Sequence, residues 1–231
     1  MILDFGVIDF EKCLSIQKEL VRRRRLGEID DSLILAEHRN VFTIGRTGKI
    51  ENLLVEPADL KKHRASLIFT DRGGDITFHG PGQVVLYPII DLRNRNRDLH
   101  GYLRDLEDLV INLLSDYGVS ANRMVGATGV WFGSKKIGFI GVSASGWVTY
   151  HGASININTD LSFFSMCQPC GLKDVEVTSL KRILGKEIAM DMVKNRIVSC
   201  FEEVFTSWHS RKFVKSDIGG IFAAQVSAAL A

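Results

Sequence analysis

The sequence of 231 residues has little excess charge, few cysteines and no long apolar run, and each shortage removes a class of protein. The formal net charge is only +2, so nothing indicates that the chain binds nucleic acid. No apolar run approaches the roughly 20 residues that a membrane-spanning helix needs, so we expect no membrane association. Four cysteines in a chain of this length do not form a disulfide scaffold, which favours a reducing, cytoplasmic location.

Linkers, internal repeats and low-complexity segments are also missing. The first residues contain acids and lack the basic start and the long apolar core of a signal peptide. With 45% hydrophobic and 24% charged residues, the composition is that of a globular protein with a core. We therefore predict one α+β domain over residues 1–215, followed at 216–231 by a tail of small residues that could be disordered.

Apolar periodicity places the main elements. A spacing of three and four residues predicts amphipathic helices over residues 10–24, 98–117 and 190–208. Short runs of β-forming residues predict strands at 32–36, 41–44, 66–70, 84–90, 129–132, 136–142, 147–151 and 153–157. Pro88 suggests that one of these is an edge strand or contains a bulge. The first helix ends in four arginines, Arg22–Arg25, which form either a solvated helix end or a docking site for an acidic partner.

The most unusual segment runs from Arg72 to Gln83 and reads RGGDITFHGPGQ. Four glycines among twelve residues allow backbone N–H groups to approach a ligand closely, because glycine has no Cβ. The arginine at its start can hold an anion or a carbonyl group, and His79 near its end can donate or accept a proton. A structural turn needs fewer such residues, so we predict a binding or catalytic loop.

Cys167 and Cys170 have the C-x-x-C spacing, which leaves three interpretations open. A zinc site would need a second pair of ligands, and no second pair follows. A thioredoxin-like redox pair would need a βαβ context that the pattern does not show. In the third interpretation Cys170, on its Pro-Cys-Gly turn, is a nucleophile activated by a nearby cation rather than an inert cysteine. Lys135, Lys136 and His151 are the candidate cations.

Four motifs of the chain resemble those of the lipoyl(octanoyl)transferases. They are RGGDITFHGPGQVVLYPIIDL, TGVWFGSKKIGFIGV, VTYHGASININTDL and QPCGLKDVEVTSL, in this order and at similar spacings. An upstream segment, ILAEHRNVFTIGRTG, resembles the family's strand-turn-strand, and the resemblance covers roughly residues 5–207. It implies a single α+β domain in which helices flank a mixed sheet, like the catalytic domains of biotin and lipoate ligases.

The resemblance also implies an activity. The family moves an octanoyl group from acyl carrier protein to a lysine of lipoyl domains, through a thioester on the enzyme's cysteine, in the first step of protein lipoylation. The donor would be octanoyl-acyl carrier protein. The acceptors would be the lipoyl domains of 2-oxoacid dehydrogenase complexes and the glycine cleavage H protein. The resemblance implies no cofactor and no metal.

The family's functional residues fall on specific positions of this chain. By resemblance, the acyl-accepting cysteine is Cys170 and the catalytic lysine is Lys136 rather than Lys135. The substrate-binding residues come from three segments: Arg72, Gly73, Gly74, Asp75, Ile76, Thr77, Phe78 and His79; Phe139, Ile140 and Gly141; and Gly152, Ala153 and Ser154. The acyl chain needs an apolar slot, for which the candidates, each also suited to the core, are Phe78, Tyr87, Phe139 and Ile140. Backbone N–H groups near Cys170 and Gly141 are candidates to stabilise an oxyanion.

Four positions depart from the family pattern. Ser143 stands where relatives usually have an arginine, and Gly146 stands where a second basic residue is common. Ser154 replaces a small apolar residue, and Cys167 replaces an apolar one. Cys167 is therefore either a small buried side chain or the partner of Cys170 in a reversible disulfide that switches the enzyme off.

Two other functions remain open at this point. An ATP-dependent lipoate-protein ligase would not need Cys170, and the missing P-loop says little because ATP sites in this fold do not use one. A non-catalytic protein that binds acyl carrier protein or a lipoyl domain is the second alternative. The presence of both Cys170 and Lys136 argues against it.

Overall fold

The structure, a computed structural model, describes residues 1–172 and 175–206. The strands of this part of the chain are β1 (Ile2–Ile8), β2 (Ser32–His38), β3 (Val41–Ile44), β4 (Ser66–Phe69), β5 (Ile76–His79), β6 (Gln83–Ile89), β7 (Asn122–Met124), β8 (Ala127–Phe132), β9 (Lys135–Ser145) and β10 (Val148–Asn156). Its α-helices are α1 (Phe10–Arg25), α2 (Leu99–Asp116), α3 (Leu180–Leu184) and α4 (Met190–Thr206). Short 3₁₀ helices lie at Ile50–Asn52, Pro57–His63, Leu92–Asn94, Leu161–Met166 and Pro169–Gly171.

The strands form two sheets. The larger has the order β1-β2-β6-β10-β9-β8-β7, with β1 parallel to β2 and every other pair antiparallel. In the smaller sheet β3 lies between β4, which is parallel to it, and β5, which is antiparallel. Helices flank the larger sheet, so the predicted α+β fold with a mixed sheet is confirmed.

The predicted helices are present because apolar periodicity and capping agree. The side chain of Asp9 accepts a hydrogen bond from the backbone N–H of Lys12 at the start of α1. The side chain of Asp98 does the same for Gly101 at the start of α2. Such N-caps satisfy backbone N–H groups that have no partner inside the helix. No helix among the described residues is long and apolar enough to cross a membrane.

One face of the larger sheet packs against α2 and α4. A single apolar cluster joins these helices to the sheet, with Leu109 and Val110 of α2 and Phe201 of α4 fully buried. Burial of each such side chain contributes roughly 1.5–3 kcal/mol. This face therefore supplies the largest continuous part of the core within the described residues.

The opposite face is covered in two parts. Helix α1 covers one part, where Leu20 packs with Ile34 and Val85 of the sheet in a second apolar cluster. The smaller sheet covers the other part, where Phe42 and Phe78 belong to a third cluster. A pocket lies where the two covers meet, because its lining combines residues of α1, β5, β6, β9 and β10.

Two sequence predictions for this sheet are wrong. The strands predicted at 147–151 and 153–157 are one strand, β10, because its pairing with β9 continues without a shift from Val148 to Ile155. His151 lies within this strand with a left-handed φ of 55°. Pro88 is not in an edge strand, since β6 lies between β2 and β10. The regular β6–β10 pairing ends at Leu86 and Ala153, so the missing N–H of Pro88 breaks no pair with β10.

Three of the four arginines at the end of α1 contact acidic residues of the same chain, and Arg25 donates a hydrogen bond to the Ser145 hydroxyl. Arg22 and Arg23 lie 3.7 and 3.3 Å from Glu28, and Arg24 lies 2.7 Å from Asp31. These contacts favour the solvated helix end over the docking site. The predicted tail at 216–231, the predicted domain end at 215 and the last two residues of the helix predicted to 208 lie outside the described residues.

Candidate active site

Lys136 and Cys170 meet although they are distant in sequence. The Lys136 side chain is buried, and its Nζ donates a hydrogen bond to the carbonyl of Thr128 at 2.8 Å. The same Nζ lies 3.1 Å from Cys170 Sγ. Gly129 makes room for it, because a Cβ at Gly129 would lie 2.7 Å from Lys136 Cε. The neighbouring Lys135 points to solvent and pairs with an exposed carboxylate, since adjacent strand residues face opposite sides.

Two aromatic rings flank the Lys136 ammonium. Its Nζ lies 5.1 Å from the ring centre of Trp131 and 5.2 Å from that of Phe139. Ring faces attract a cation at such distances. Together with the Thr128 carbonyl, these rings fix the ammonium group beside the sulfur.

Cys170 adopts a strained backbone conformation. Its φ of 60° and ψ of 17° are left-handed, which costs a residue with a side chain roughly 1–2 kcal/mol. Gly171 follows with φ 66°, and a Cβ there would lie 2.6 Å from Asp75 Oδ2. Only a glycine allows this close approach, so the Cys170 turn is held tightly against the glycine-rich segment. Strain of this kind persists where surrounding structure enforces it, and it often marks functional sites.

Arg72 and Asp75 organise the glycine-rich segment. The buried Arg72 guanidinium donates to the carbonyl oxygens of Thr43 at 2.6 Å, Gly73 at 3.0 Å and Asp75 at 2.6 Å. The Asp75 carboxylate accepts hydrogen bonds from the Asn52 side chain and from the backbone N–H of Ile76, each at 2.6 Å. Arg72 does hold carbonyl groups, but they are those of its own chain. Burial lowers the pKa of Arg72 to about 10, which leaves it charged near the pocket at neutral pH.

The pocket has a volume of about 470 Å³, including solvent space at its mouth. Cys170 lines it together with most of the predicted substrate-binding residues: Arg72, Gly74, Asp75, Ile76, Thr77, His79, Phe139, Ile140, Gly141, Gly152, Ala153 and Ser154. Two predicted residues lie outside the lining. Gly73 donates its N–H to the carbonyl of Val142, and Phe78 stacks on Phe163 with ring centres 4.5 Å apart. Of the acyl-slot candidates, Tyr87 also lines the pocket, whereas Phe78 belongs to the core.

Phe10 and Val85 line the pocket but were not predicted there. Both lie in regular elements whose apolar periodicity is explained by core packing, so the pattern alone gave no signal. Only the long-range packing of α1 and β6 brings them to the pocket.

Two buried histidines of the lining are neutral at pH 7. Desolvation lowers the pKa of His79 to about 3 and that of His151 to about 4, the latter despite a 2.8 Å hydrogen bond to Asp71. Partial burial opposes the shift, but hydrogen bonds from His151 and Tyr150 hold the pKa of Asp71 well below its usual range. His151 is therefore not the cation beside Cys170, and Lys136 occupies that place.

Two buried hydroxyl groups in the pocket have no hydrogen-bond partner. They are Thr77 Oγ1 on β5 and Ser154 Oγ on β10. A buried polar group without a partner costs roughly 1–3 kcal/mol, so such groups in a native structure require an explanation. Both hydroxyl groups are available to a polar atom of a bound ligand.

Cys167 is a buried, free thiol. It packs in the cluster beneath the smaller sheet, and its sulfur lies 3.9 Å from the carbonyl of Phe164. Cys170 is also a free thiol, so the reversible disulfide stays a prediction. No group of three or more His, Cys, Asp or Glu residues in the described ranges is arranged to hold a metal ion.

Known proteins resemble the chain in sequence. The family model of the lipoyl protein ligase A/B catalytic domain matches residues 9–202. An octanoyltransferase from Rubrobacter xylanophilus is 48% identical over 86% of this chain and 90% of its own length. An octanoyltransferase from Pelobacter propionicus is 44% identical over 89% of this chain and 95% of its own.

Solved structures resemble it in fold. A lipoate-protein ligase A bound with ATP superposes with a TM-score of 0.76 at 16% identity, covering 99% of this chain and 92% of its own. A biotin protein ligase from Aquifex aeolicus, in complex with biotin and ATP, gives a TM-score of 0.55 at 15% identity over 92% of this chain and 72% of its own. The predicted likeness to the folds of both ligases is confirmed. On the sequence matches, the chain belongs to the lipoyl protein ligase A/B catalytic domain family, among its octanoyltransferases.

Proposed function

We propose that this protein moves an octanoyl group from octanoyl-acyl carrier protein to a lysine of lipoyl domains, through a thioester on Cys170. The observation that carries the proposal is the 3.1 Å contact between Lys136 Nζ and Cys170 Sγ at the wall of the pocket. A cysteine becomes a strong nucleophile when a positioned base or cation accompanies it. The names of the curated relatives support the acyl group.

In the first half-reaction the Cys170 sulfur attacks the carbonyl carbon of the carrier thioester. A new C–S bond forms to Cys170, the C–S bond to the carrier breaks, and the carrier leaves as a thiol. Lys136 and Cys170 react as an ammonium–thiolate pair, and Lys136 gives its proton to the leaving sulfur and becomes a neutral amine. Its fixed place between two rings and the Thr128 carbonyl suits it to this task.

In the second half-reaction the amine of the acceptor lysine attacks the Cys170 thioester. An amide C–N bond forms, the C–S bond breaks, and Lys136 moves a proton from the amine to the Cys170 sulfur. Both steps pass through a tetrahedral oxyanion. The unpartnered hydroxyl groups of Thr77 and Ser154 are donors for that oxygen, alongside backbone N–H groups near Cys170 and Gly141.

The proposed partners are those that the resemblance implies. The donor is octanoyl-acyl carrier protein, and the acceptors are the lipoyl domains of 2-oxoacid dehydrogenase complexes and the glycine cleavage H protein. The free Cys170 thiol must stay reduced to react, which suits the cytoplasm. No cofactor or metal takes part in either half-reaction.

The decisive experiment is intact-mass analysis of the protein after incubation with octanoyl-acyl carrier protein in the absence of ATP. We expect the addition of one octanoyl group, its loss in Cys170→Ala, and its transfer to a lipoyl domain added afterwards. Cys167→Ala is the matched control, because this thiol is nearby but buried in the core. It should keep the adduct.

Each alternative function predicts a different result. A lipoate-protein ligase would modify the lipoyl domain only when ATP and the free acid are present, and Cys170→Ala would still do so. A non-catalytic binding protein would retain the carrier without gaining an octanoyl group. An adduct that maps to Cys167 would overturn the assignment of the nucleophile.

A further inference from the structure

Phe10 faces the pocket from outside every segment assigned to the site by sequence. It is the first residue of α1 and is buried, yet it belongs to none of the three apolar clusters of the described residues. Its ring centre lies 5.3 Å from that of His38, 6.0 Å from that of His79 and 6.5 Å from that of His151. A phenyl ring held by three imidazoles at a pocket wall is placed to contact a ligand.

The floor of the pocket crosses three neighbouring strands. Phe139 on β9 lies opposite Ser154 on β10, and Ser154 lies opposite Val85 on β6. Directly opposed residues project from the same face of a sheet, so the three side chains form one row. Neighbouring strands are about 4.8 Å apart, so the row spans roughly 10 Å.

Cys170 and Phe10 lie at opposite ends of this row. Lys136 Nζ contacts the Cys170 sulfur and lies 5.2 Å from the Phe139 ring, which places the sulfur at the β9 end. At the other end α1 packs on β6 and β10. His38, which contacts the Phe10 ring, belongs to β2, the strand beyond β6. The pocket therefore runs from the sulfur to the Phe10 ring.

The length of the row matches the acyl group. An octanoyl chain has seven C–C bonds of about 1.5 Å each and spans roughly 9 Å when extended. Building on the proposed function, we propose that Phe10 sets the acyl chain length, because its ring closes the slot behind the eighth carbon. A smaller side chain at this position would open the slot toward the space between His38, His79 and His151.

The test compares kcat/KM for octanoyl and decanoyl carriers in wild type and Phe10→Ala. Each buried CH₂ changes transfer to an apolar site by about fourfold. Two further methylenes should then raise the decanoyl-to-octanoyl ratio by at least tenfold in the variant. Phe10→Leu keeps a branched apolar side chain, and it should move the ratio in the same direction by less. If Phe10→Ala does not fold, the ratio in Phe10→Leu tests the inference.

Ile16→Ala is the matched control, since Ile16 is buried in the α1 cluster away from the pocket lining. It should lower the melting temperature and leave the ratio unchanged. An unchanged ratio in both Phe10 variants, or an equal change in Ile16→Ala, would overturn the inference.

A second readout separates this inference from the proposed transfer. Titration calorimetry with octanoic and decanoic acid measures the slot without any reaction. In wild type, the binding free energy per methylene should be more favourable for octanoic acid than for decanoic acid. Phe10→Ala should gain affinity for decanoic acid. If wild type forms no acyl adduct, the proposed function fails. The calorimetry still decides whether Phe10 limits chain length.

Discussion

One face of the larger sheet packs against α2 and α4 through a single apolar cluster, whereas the opposite face is covered in two parts by α1 and the smaller sheet. The difference shows in the buried polar residues. Arg72, His79 and His151 line the pocket between the two covers of the opposite face, and Lys136 contacts Cys170, which also lines it. The first face thus forms a continuous apolar core, and the second gives up apolar packing to form a pocket lined by polar groups.

The strongest test of the second face uses its lysine pair. Lys136→Met should reduce turnover by about 10² to 10⁴, which is typical when a positioned acid–base group is lost. Lys135→Met is the matched control, because its side chain is exposed and pairs with Glu176 at 2.9 Å. Its turnover should stay near that of wild type. Steady-state kinetics with octanoyl carrier measure both, and equal losses would contradict the assigned roles.

A second test uses the buried histidines of the pocket. The pKa of His79 is lowered to about 3 and that of His151 to about 4, both below the usual value. Between pH 6.5 and 4 the unfolded chain therefore binds more protons, so stability falls as the pH falls through this window. At pH 5 each histidine should cost about 2 kcal/mol relative to pH 7, at 1.36 kcal/mol for each pKa unit.

Urea denaturation at pH 7 and pH 5 measures this loss of unfolding free energy. His79→Gln should show a smaller loss, since a glutamine cannot titrate. Below about pH 4 protonation of Asp71 should remove further stability, because the pKa of that carboxyl is also lowered. A free energy that is the same at pH 7 and pH 5 would contradict neutral, buried histidines.

The first face should respond in stability rather than in catalysis. Leu109 is fully buried in the cluster between α2 and the sheet, so Leu109→Ala should cost about 3 kcal/mol, within the usual range for such changes. At a temperature where the variant is folded, turnover should stay within about twofold of wild type. Thermal denaturation and kinetics at 15–20 °C below the new midpoint measure the two effects. A large loss of turnover in folded protein would show that the two faces are coupled.

The fold was predictable where one local pattern decides the structure. The i, i+3, i+4 spacing of apolar residues identified α2, and the β-forming runs identified β2 and β3. The edge-strand prediction from Pro88 was wrong because a proline disturbs a sheet only where its missing N–H would pair. Only the structure shows that the regular β6–β10 pairing has already ended before Pro88. Similarly, the sequence pattern did not show that β10 is continuous, because a strand that passes through a left-handed residue, here His151, is uncommon.

The residues alone indicated the glycine-rich segment and Cys170 as parts of a site, but the choice of the lysine beside Cys170 came from the resemblance. Spacing left Lys135, Lys136 and His151 as equal candidates beside Cys170, and the family pattern singled out Lys136, which the structure places at the sulfur. Phe10 was out of reach, because its place in the pocket depends on how α1 packs across strands far away in sequence. The sequence indicated that Arg72 could hold a carbonyl group, but not that the carbonyl groups are those of its own chain, which the fold brings to it.

The smallest effect is expected for Ser154→Ala. In contrast to Leu109→Ala, this variant should change turnover rather than stability. The Ser154 hydroxyl is buried in the pocket without a partner, so its removal should leave stability unchanged or slightly higher. Turnover should fall by about tenfold, less than the 10² to 10³ typical for loss of one oxyanion donor, because Thr77 and nearby backbone N–H groups remain.

Thr77→Val alone and together with Ser154→Ala completes the cycle. If both hydroxyl groups donate to the same oxygen, the double variant should lose more turnover than the sum of the single free-energy changes predicts, because no side-chain donor remains. Thermal denaturation should show no matching loss of stability in either single variant. Unchanged turnover in all three variants would mean that water satisfies these hydroxyl groups, and the oxyanion would then depend on backbone N–H groups near Cys170 and Gly141.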